Sequence, residues 1–177
     1  HCDRIVTAWV GNSEARLVTA DGKLKTLAIP HEFGVHRAET ARLDAMGAAI
    51  EGPGEIWARG CYGSGWQVTR PRRGRVSVPS ASLEVTRALG DREFDPFVLH
   101  EPDVRSRVPS SADRWLIVAT DGLWHAAKRT SKRRRIGELL AGCGDAETAA
   151  GALETLLKTW RLDDNVTYVL IDLTCIA

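Results

Sequence analysis

Two apolar, β-rich runs, each bordered by acid, constrain this chain more than any other feature. Leu116 to Thr120 reads LIVAT and passes directly into Asp121-Gly122. The last such run, NVTYVLIDL, is opened by Asp163-Asp164-Asn165. A strand suited to burial that ends on a carboxylate has two readings. Asp-Gly is a common turn pair. Alternatively, the carboxylate is a metal ligand held at the end of a rigid strand, with Gly122 leaving space beside it. Asp21-Gly22 serves as the control. It lies between the short segments EARLVTA and KLKTLAI, has no such apolar approach, and reads as a plain hairpin turn.

If the two acid-bordered strands are antiparallel neighbours, the end of one lies beside the start of the other. Asp121 and Asp164 would then converge at one sheet edge. Converging carboxylates repel each other, so keeping both ionised calls for a cation. An oxygen-only ligand set points to magnesium, manganese or calcium rather than zinc. Two unrelated surface turns are the plainer alternative.

Elsewhere the order of elements suggests an α+β layered domain rather than strict βαβ alternation. The first thirty residues read as a meander: RIVTAWV, a turn at Gly11-Asn12-Ser13, EARLVTA, the Asp21-Gly22 turn, KLKTLAI, then Pro30. His36 to Ile50 reads as a helix with Leu43, Met46 and Ile50 on one face and Arg37, Glu39, Arg42 and Asp44 on the wet side. Glu51 to Ser82 is glycine-rich and contains Trp57, Tyr62, Trp66 and the cluster RPRRGR; it reads as short strands on a loop-rich projection. LEVTRALGDREFDPF begins as a strand and breaks at Gly90-Asp91. DVRSRV and WLIVAT are strands separated by PSSAD. After Trp124, AAKRTSKRRRIGELLAG reads as one helix with a basic start. Asp145 is the expected N-cap of a last helix whose apolar face is Ala149, Leu153, Leu156, Leu157 and Trp160.

The 177 residues suffice for one domain with a real core, and the net charge of +1 offers no global case for nucleic acid or membrane binding. No apolar run approaches the length of a membrane span. The four cysteines are scattered without zinc or redox spacing, which favours reduced thiols and a cytoplasmic or nuclear setting. Lys128 to Arg135 places six basic residues in eight positions. Such a run reads first as a solvated face, then as a nuclear-import signal or an acidic-partner patch, and is too local for specific nucleic-acid recognition.

LIVATDGLW, VTRALGDREF and RLDDNVTYVLIDL, in that order, resemble the metal-dependent serine/threonine protein phosphatases of type 2C, the PPM family. AWVGNSEARLV is similar to the family's Gly-Asp-Ser-Arg hairpin, and ETARLDAMGAAI to the helix preceding its flap. The resemblance runs over nearly the whole chain. It implies one PPM-type domain over residues 1–177, a layered β-sandwich flanked by helices, with a flap at about 51–82. It implies Mg2+ or Mn2+, two ions in the family, with Asp121 and Asp164 as ligands and Gly122 leaving room for metal-bound water. The implied substrate is a phosphoserine or phosphothreonine protein. Arg70, Arg72 and Arg73 in the flap would contact a substrate or an acidic partner, while Trp57 and Trp66 can equally form the flap's own small core.

Three departures weigh on activity. The family's opening strands, its Asp-Gly-His-Gly-Gly motif and its phosphate-binding arginine have no counterpart here, so the metal pair is expected to be under-coordinated and the fold to lack N-terminal strands. Asn12 and His125 stand where the family has aspartates of a looser third metal site. His125 reads more simply as a helix-start histidine. Two functions are therefore expected: a type 2C phosphatase whose activity in this chain is weak or absent, or a non-catalytic pseudophosphatase acting as a partner-binding module.

Overall fold

In the computed structural model, residues 4–32, 35–45, 49–51, 67–69, 85–91, 97–129 and 133–175 are described. The chain divides into two compact units, one formed by His1–Trp9, Ser13–Ile29 and Val104–Ala177, the other by Val10–Asn12 and Pro30–Asp103. No helix among the described residues is long and apolar enough to cross a membrane.

The first unit is layered. Strands β1 (Ile5–Trp9) and β6 (Asp103–Arg107) form a two-stranded sheet, β6 giving only Asp103 to the other unit. Strands β2 (Glu14–Thr19), β3 (Leu24–Thr26), β7 (Asp113–Ala119) and β8 (Tyr168–Asp172) form a second sheet, in the order β3-β2-β7-β8. The first thirty residues are therefore not one meander. β1 pairs with β6, and the chain changes sheets through the turn at Gly11, which has a φ of +93°. The Asp21-Gly22 hairpin between β2 and β3 forms as expected, with Gly22 at φ +78°.

Helices α2 (Asp121–Arg129), α3 (Arg133–Ala141) and α4 (Ala146–Lys158) cover one face of the larger sheet. Trp115, Ile117 and Ala119 of β7 pack there against Leu123, Trp124, Ile136, Leu140 and Leu153. The other face contributes Ala15, Leu17, Leu116 and Ile171 to a smaller cluster with Ile5, Trp9, Leu27 and Leu173. Burial on both faces explains the near-continuous apolar reading of LIVAT. Even so, Val118 is 39% exposed, and β8 is an edge strand rather than a fully buried one. Two of the buried indoles illustrate how their N–H groups are satisfied: Trp115 donates to the Leu140 carbonyl at 2.8 Å and Trp9 to that of Ile29 at 2.8 Å.

α4 follows its sequence signals. Asp145 accepts from the Thr148 amide at 2.8 Å, and Ala149, Leu153, Leu156 and Leu157 are buried. The basic segment differs from expectation, because α2 and α3 are separate helices and α2 starts at Asp121, before Trp124. Arg133 is not merely solvated: it lies 3.4 Å from the buried carboxylate of Glu14, which also pairs with Arg16 on β2. Arg134 keeps to the exposed face, bonded to Glu138 one turn on at 2.7 Å.

Asp113, assigned by sequence to a polar turn, is instead a buried hub that starts β7. Its carboxylate accepts from Lys25 at 3.0 Å, Arg107 at 2.7 Å, and both the amide and hydroxyl of Ser110 at 2.9 Å. Burial pushes its pKa up, but the Ser110 amide, Lys25, the Ser110 hydroxyl and Arg107 outweigh burial and hold it at about 2, against an ordinary 3.8. A depressed folded-state pKa contributes stability above the unfolded value that is lost as pH falls through the folded one. Thermal melts of the chain are therefore expected to lose midpoint between pH 3.8 and about 2. Asp113→Asn should lower the midpoint at neutral pH and flatten that acid slope; an unchanged slope would remove Asp113 from the account.

The second unit contains α1 (Arg37–Ala45) and a two-stranded sheet of β4 (Ala49–Glu51) and β5 (Gln67–Thr69). The helix expected over His36 to Ile50 thus stops at Ala45, and Ile50 pairs with Val68 in the sheet. Glu39, expected on the wet side, is buried beside Leu43. Two arginines make that burial tolerable: Arg42 lies 2.9 Å and Arg87 2.7 Å from its carboxylate oxygens. Of the strand expected from Leu83, the described residues from Val85 onward form isolated bridges, Glu32 with Val85 and Arg87 with Leu99, before the turn at Gly90-Asp91. Most of the expected flap at 51–82, including Trp57, Tyr62 and Trp66, lies outside the described residues.

Candidate active site

β7 and β8 are antiparallel, with Trp115 opposite Asp172 and Ala119 opposite Tyr168. This register carries the end of β7 to the residues just before β8. The pairing continues one step beyond the strands, where the Thr120 amide donates to the Thr167 carbonyl at 3.0 Å. The Thr120 hydroxyl accepts from the Thr167 amide at 3.1 Å and lies 3.3 Å from the Asn165 carbonyl oxygen.

Asp121 is the first residue of α2, so Asp121-Gly122 is a strand-to-helix junction and not a hairpin turn. A carboxylate in the first helical turn is favoured by the partial positive charge of the exposed amides there. The junction is braced from below, with the Trp124 indole donating to the Ala119 carbonyl at 3.3 Å and the Arg16 guanidinium lying 4.9 Å from the Trp124 ring centre.

Gly122 is buried, and a Cβ placed on it would lie 2.3 Å from the Asn165 carbonyl oxygen and 3.4 Å from that of Asp164. The backbone of the Asp164-Asn165 loop therefore fills the space that a side chain at 122 would take. Asp164 is exposed, and its Oδ1 accepts from the Asn165 amide at 2.7 Å. Among the described residues no lysine or arginine pairs with Asp164, whereas neighbouring Asp163 lies 3.2 Å from Arg161.

The structure thus sets the Asp121-Gly122 step against the Asp164-Asn165 loop. Half-buried His125 follows Asp121 by four residues on α2, one helical turn along the same face. Asn12 lies in the turn between β1 and β2, within the second unit. Arg70, Arg72 and Arg73 lie outside the described residues. Sequence reasoning overlooked Thr120, whose hydroxyl joins the two loops. Its only signal was a β-branched hydroxyl residue placed between a buried strand and an acid.

The chain is similar in sequence and fold to known proteins. A family profile described as "Protein phosphatase 2C" matches residues 2–130. The chain is 27% identical over 165 residues to protein phosphatase 1E of Homo sapiens, an alignment covering 93% of this chain and 19% of that protein. It is 26% identical over 175 residues to the probable protein phosphatase 2C 33 of Oryza sativa subsp. japonica, covering 96% and 35%. Its fold is similar to a crystal structure of a phosphatase from a pathogenic strain of Toxoplasma gondii, with a TM-score of 0.65, 23% identity and coverage of 94% and 47%. A serine-threonine phosphatase 2C from Toxoplasma gondii gives a TM-score of 0.60 at 18% identity, covering 96% and 54%. The chain spans well under two thirds of the length of each of these proteins.

Proposed function

The chain belongs to the protein phosphatase 2C family, and on that premise we propose that it carries part of a metal-dependent serine/threonine protein phosphatase centre. Asp121 and Asp164 would hold a hard divalent cation, magnesium or manganese, on carboxylate oxygens. The carrying observation is the contact at Gly122, where the Asp164-Asn165 loop approaches the start of α2 closely enough to exclude a Cβ. Such a cation, when bound, lowers the pKa of a coordinated water and offsets charge on phosphoryl oxygens.

The chain's own residues do the positioning. Thr120 ties the two loops, Trp124 fixes the turn of α2, and the Asn165 amide orients the Asp164 carboxylate. The substrate class would be phosphoserine or phosphothreonine in proteins, with Arg70, Arg72 and Arg73 as acidic-group contacts. A cytoplasmic or nuclear location is the reading that the scattered cysteines support.

A second reading, a partner-binding pseudophosphatase, rests on Asn12 and His125, neither of which supplies the negative charge of the family's third-metal aspartates. Calorimetric titration of the purified chain with Mn2+ tests the centre. Binding is expected without a tight pair of sites, and Asp121→Asn or Asp164→Asn should each weaken it at least ~10-fold. If both variants bind like the parent, the assignment of these acids fails. Turnover of a phosphothreonine peptide with Mn2+ present would exclude the pseudophosphatase reading.

A further inference from the structure

We infer that His31, His36 and Asp103 form a transition-metal site of zinc-binding chemistry, sharing no residue with the Asp121 and Asp164 pair. All three belong to the second unit. His31 follows Pro30 and is fully buried. His36 immediately precedes α1, and Asp103 opens β6. Their ligand atoms all lie within 4.8 Å of one another.

The distances fit a shared cation. The Nε2 atoms of both rings are aimed at the same carboxylate oxygen, Asp103 Oδ2, and each stands 3.3 Å from it. A charge-assisted N–H···O bond closes to about 2.7–2.9 Å. By contrast, ligands at about 2.0–2.1 Å from a tetrahedral zinc sit about 3.3 Å from each other along the tetrahedron's edges. The ring centres are 5.3 Å apart and their planes are inclined by 39°, so the imidazoles converge without stacking face to face. Among the described residues the His36 ring has no polar contact except the one with Asp103.

The surroundings suit ligation. Burial pushes the His31 imidazole below its ordinary pKa, against the pull of Asp103, which favours the neutral ring a metal requires. Burial raises the Asp103 carboxyl, but the His31 bond and the Arg87 charge outweigh it and keep the group ionised. Arg87 lies 3.0 Å from the other oxygen, Oδ1, and so orients the carboxylate while leaving Oδ2 to the rings. A ligating carboxylate is commonly braced by such an outer partner. Two imidazoles and one carboxylate make an N2O set, which suits zinc or cobalt rather than the magnesium or manganese of the all-oxygen site.

Cobalt(II) supplies the test, because a four-coordinate, nitrogen-ligated ion absorbs visible light strongly and an octahedral oxygen-ligated ion does not. Titrating the tag-free chain with Co2+ should develop an intense visible band that saturates at one equivalent and is bleached by Zn2+. His36→Ala should weaken binding at least ~100-fold, beyond the loss from a removed outer partner. The band should persist in Asp121→Asn, which separates this site from the proposed phosphatase centre. His36→Gln, which keeps size and polarity, should behave as His36→Ala and substitutes for it should the smaller residue unfold the protein. Absence of the band in the parent chain, or its survival in either His36 variant, overturns the inference.

Discussion

Gly122→Ala is expected to destabilise the chain and to disable the candidate phosphatase centre together. The new methyl would sit 2.3 Å from the Asn165 carbonyl oxygen, and no flexible side chain is available to move aside. Either the loop or the start of α2 must shift by roughly 1 Å, at a cost of about 1–3 kcal/mol for an overpacked site. That shift separates the residues flanking the two acids, and a displacement of ~1 Å at a reacting centre can cost about a hundredfold in rate. Mn2+ affinity should fall at least ~10-fold, by analogy with the loss of an outer-shell partner. The opposite sign is expected if the contact is absent. Gly122 does not have a positive φ, and alanine in a helix is otherwise favoured over glycine by about 1 kcal/mol. A thermal melt thus separates the two cases: a raised midpoint with unchanged Mn2+ binding refutes the close approach.

Glu39→Ala should have the largest effect in the second unit. It leaves Arg42 and Arg87 partly buried beside a vacancy, and breaking a buried ion pair by removing one partner costs about 3–5 kcal/mol. The arginines keep other partners. Arg42 donates to the Phe97 carbonyl at 2.9 Å, and Arg87 donates to that of Glu101 at 2.9 Å. Those bonds place the loss at the lower end of the range. Hydrogen exchange should show α1 losing protection first. Glu39→Gln, which retains an oxygen acceptor, should recover part of the loss. Parent-like exchange in α1 of the alanine variant would mean that the ionic cluster does not hold the helix.

What the sequence revealed follows from the range of each interaction. α4 was legible because its cap and apolar face are local: Asp145 and Thr148 are three residues apart, and the buried leucines repeat with the helical period. The Asp21-Gly22 hairpin was legible for the same reason. The neighbourhood of Asp121 and Asp164 was legible as a conditional, because it needed only the assumption that β7 and β8 are antiparallel neighbours. Glu39 misled because one of the arginines that permit its burial, Arg87, lies far along the chain. The partner of β1 was hidden similarly, since nothing in IVTAW specifies β6 over the adjacent β2. The Asp121-Gly122 pair carried a turn signal that was wrong in kind: the glycine is there for a neighbouring carbonyl, and no local pattern encodes that. His31 and His36, five residues apart, carry no local metal signature, because Asp103 supplies the third member from a distant segment.

The antiparallel arrangement around β7 also sets an order of events for a chain leaving the ribosome. Glu14 of β2 pairs with Ala119, about a hundred residues later, so β2 must wait roughly 5–20 s at ordinary elongation speeds before its central neighbour exists. The opposite edge of β7 stays unpaired until Tyr168–Asp172 emerges. Until then the nascent protein presents the unpaired edges of β2 and β7 to other chains nearby, a hazard that pairing with β7 and β8 removes.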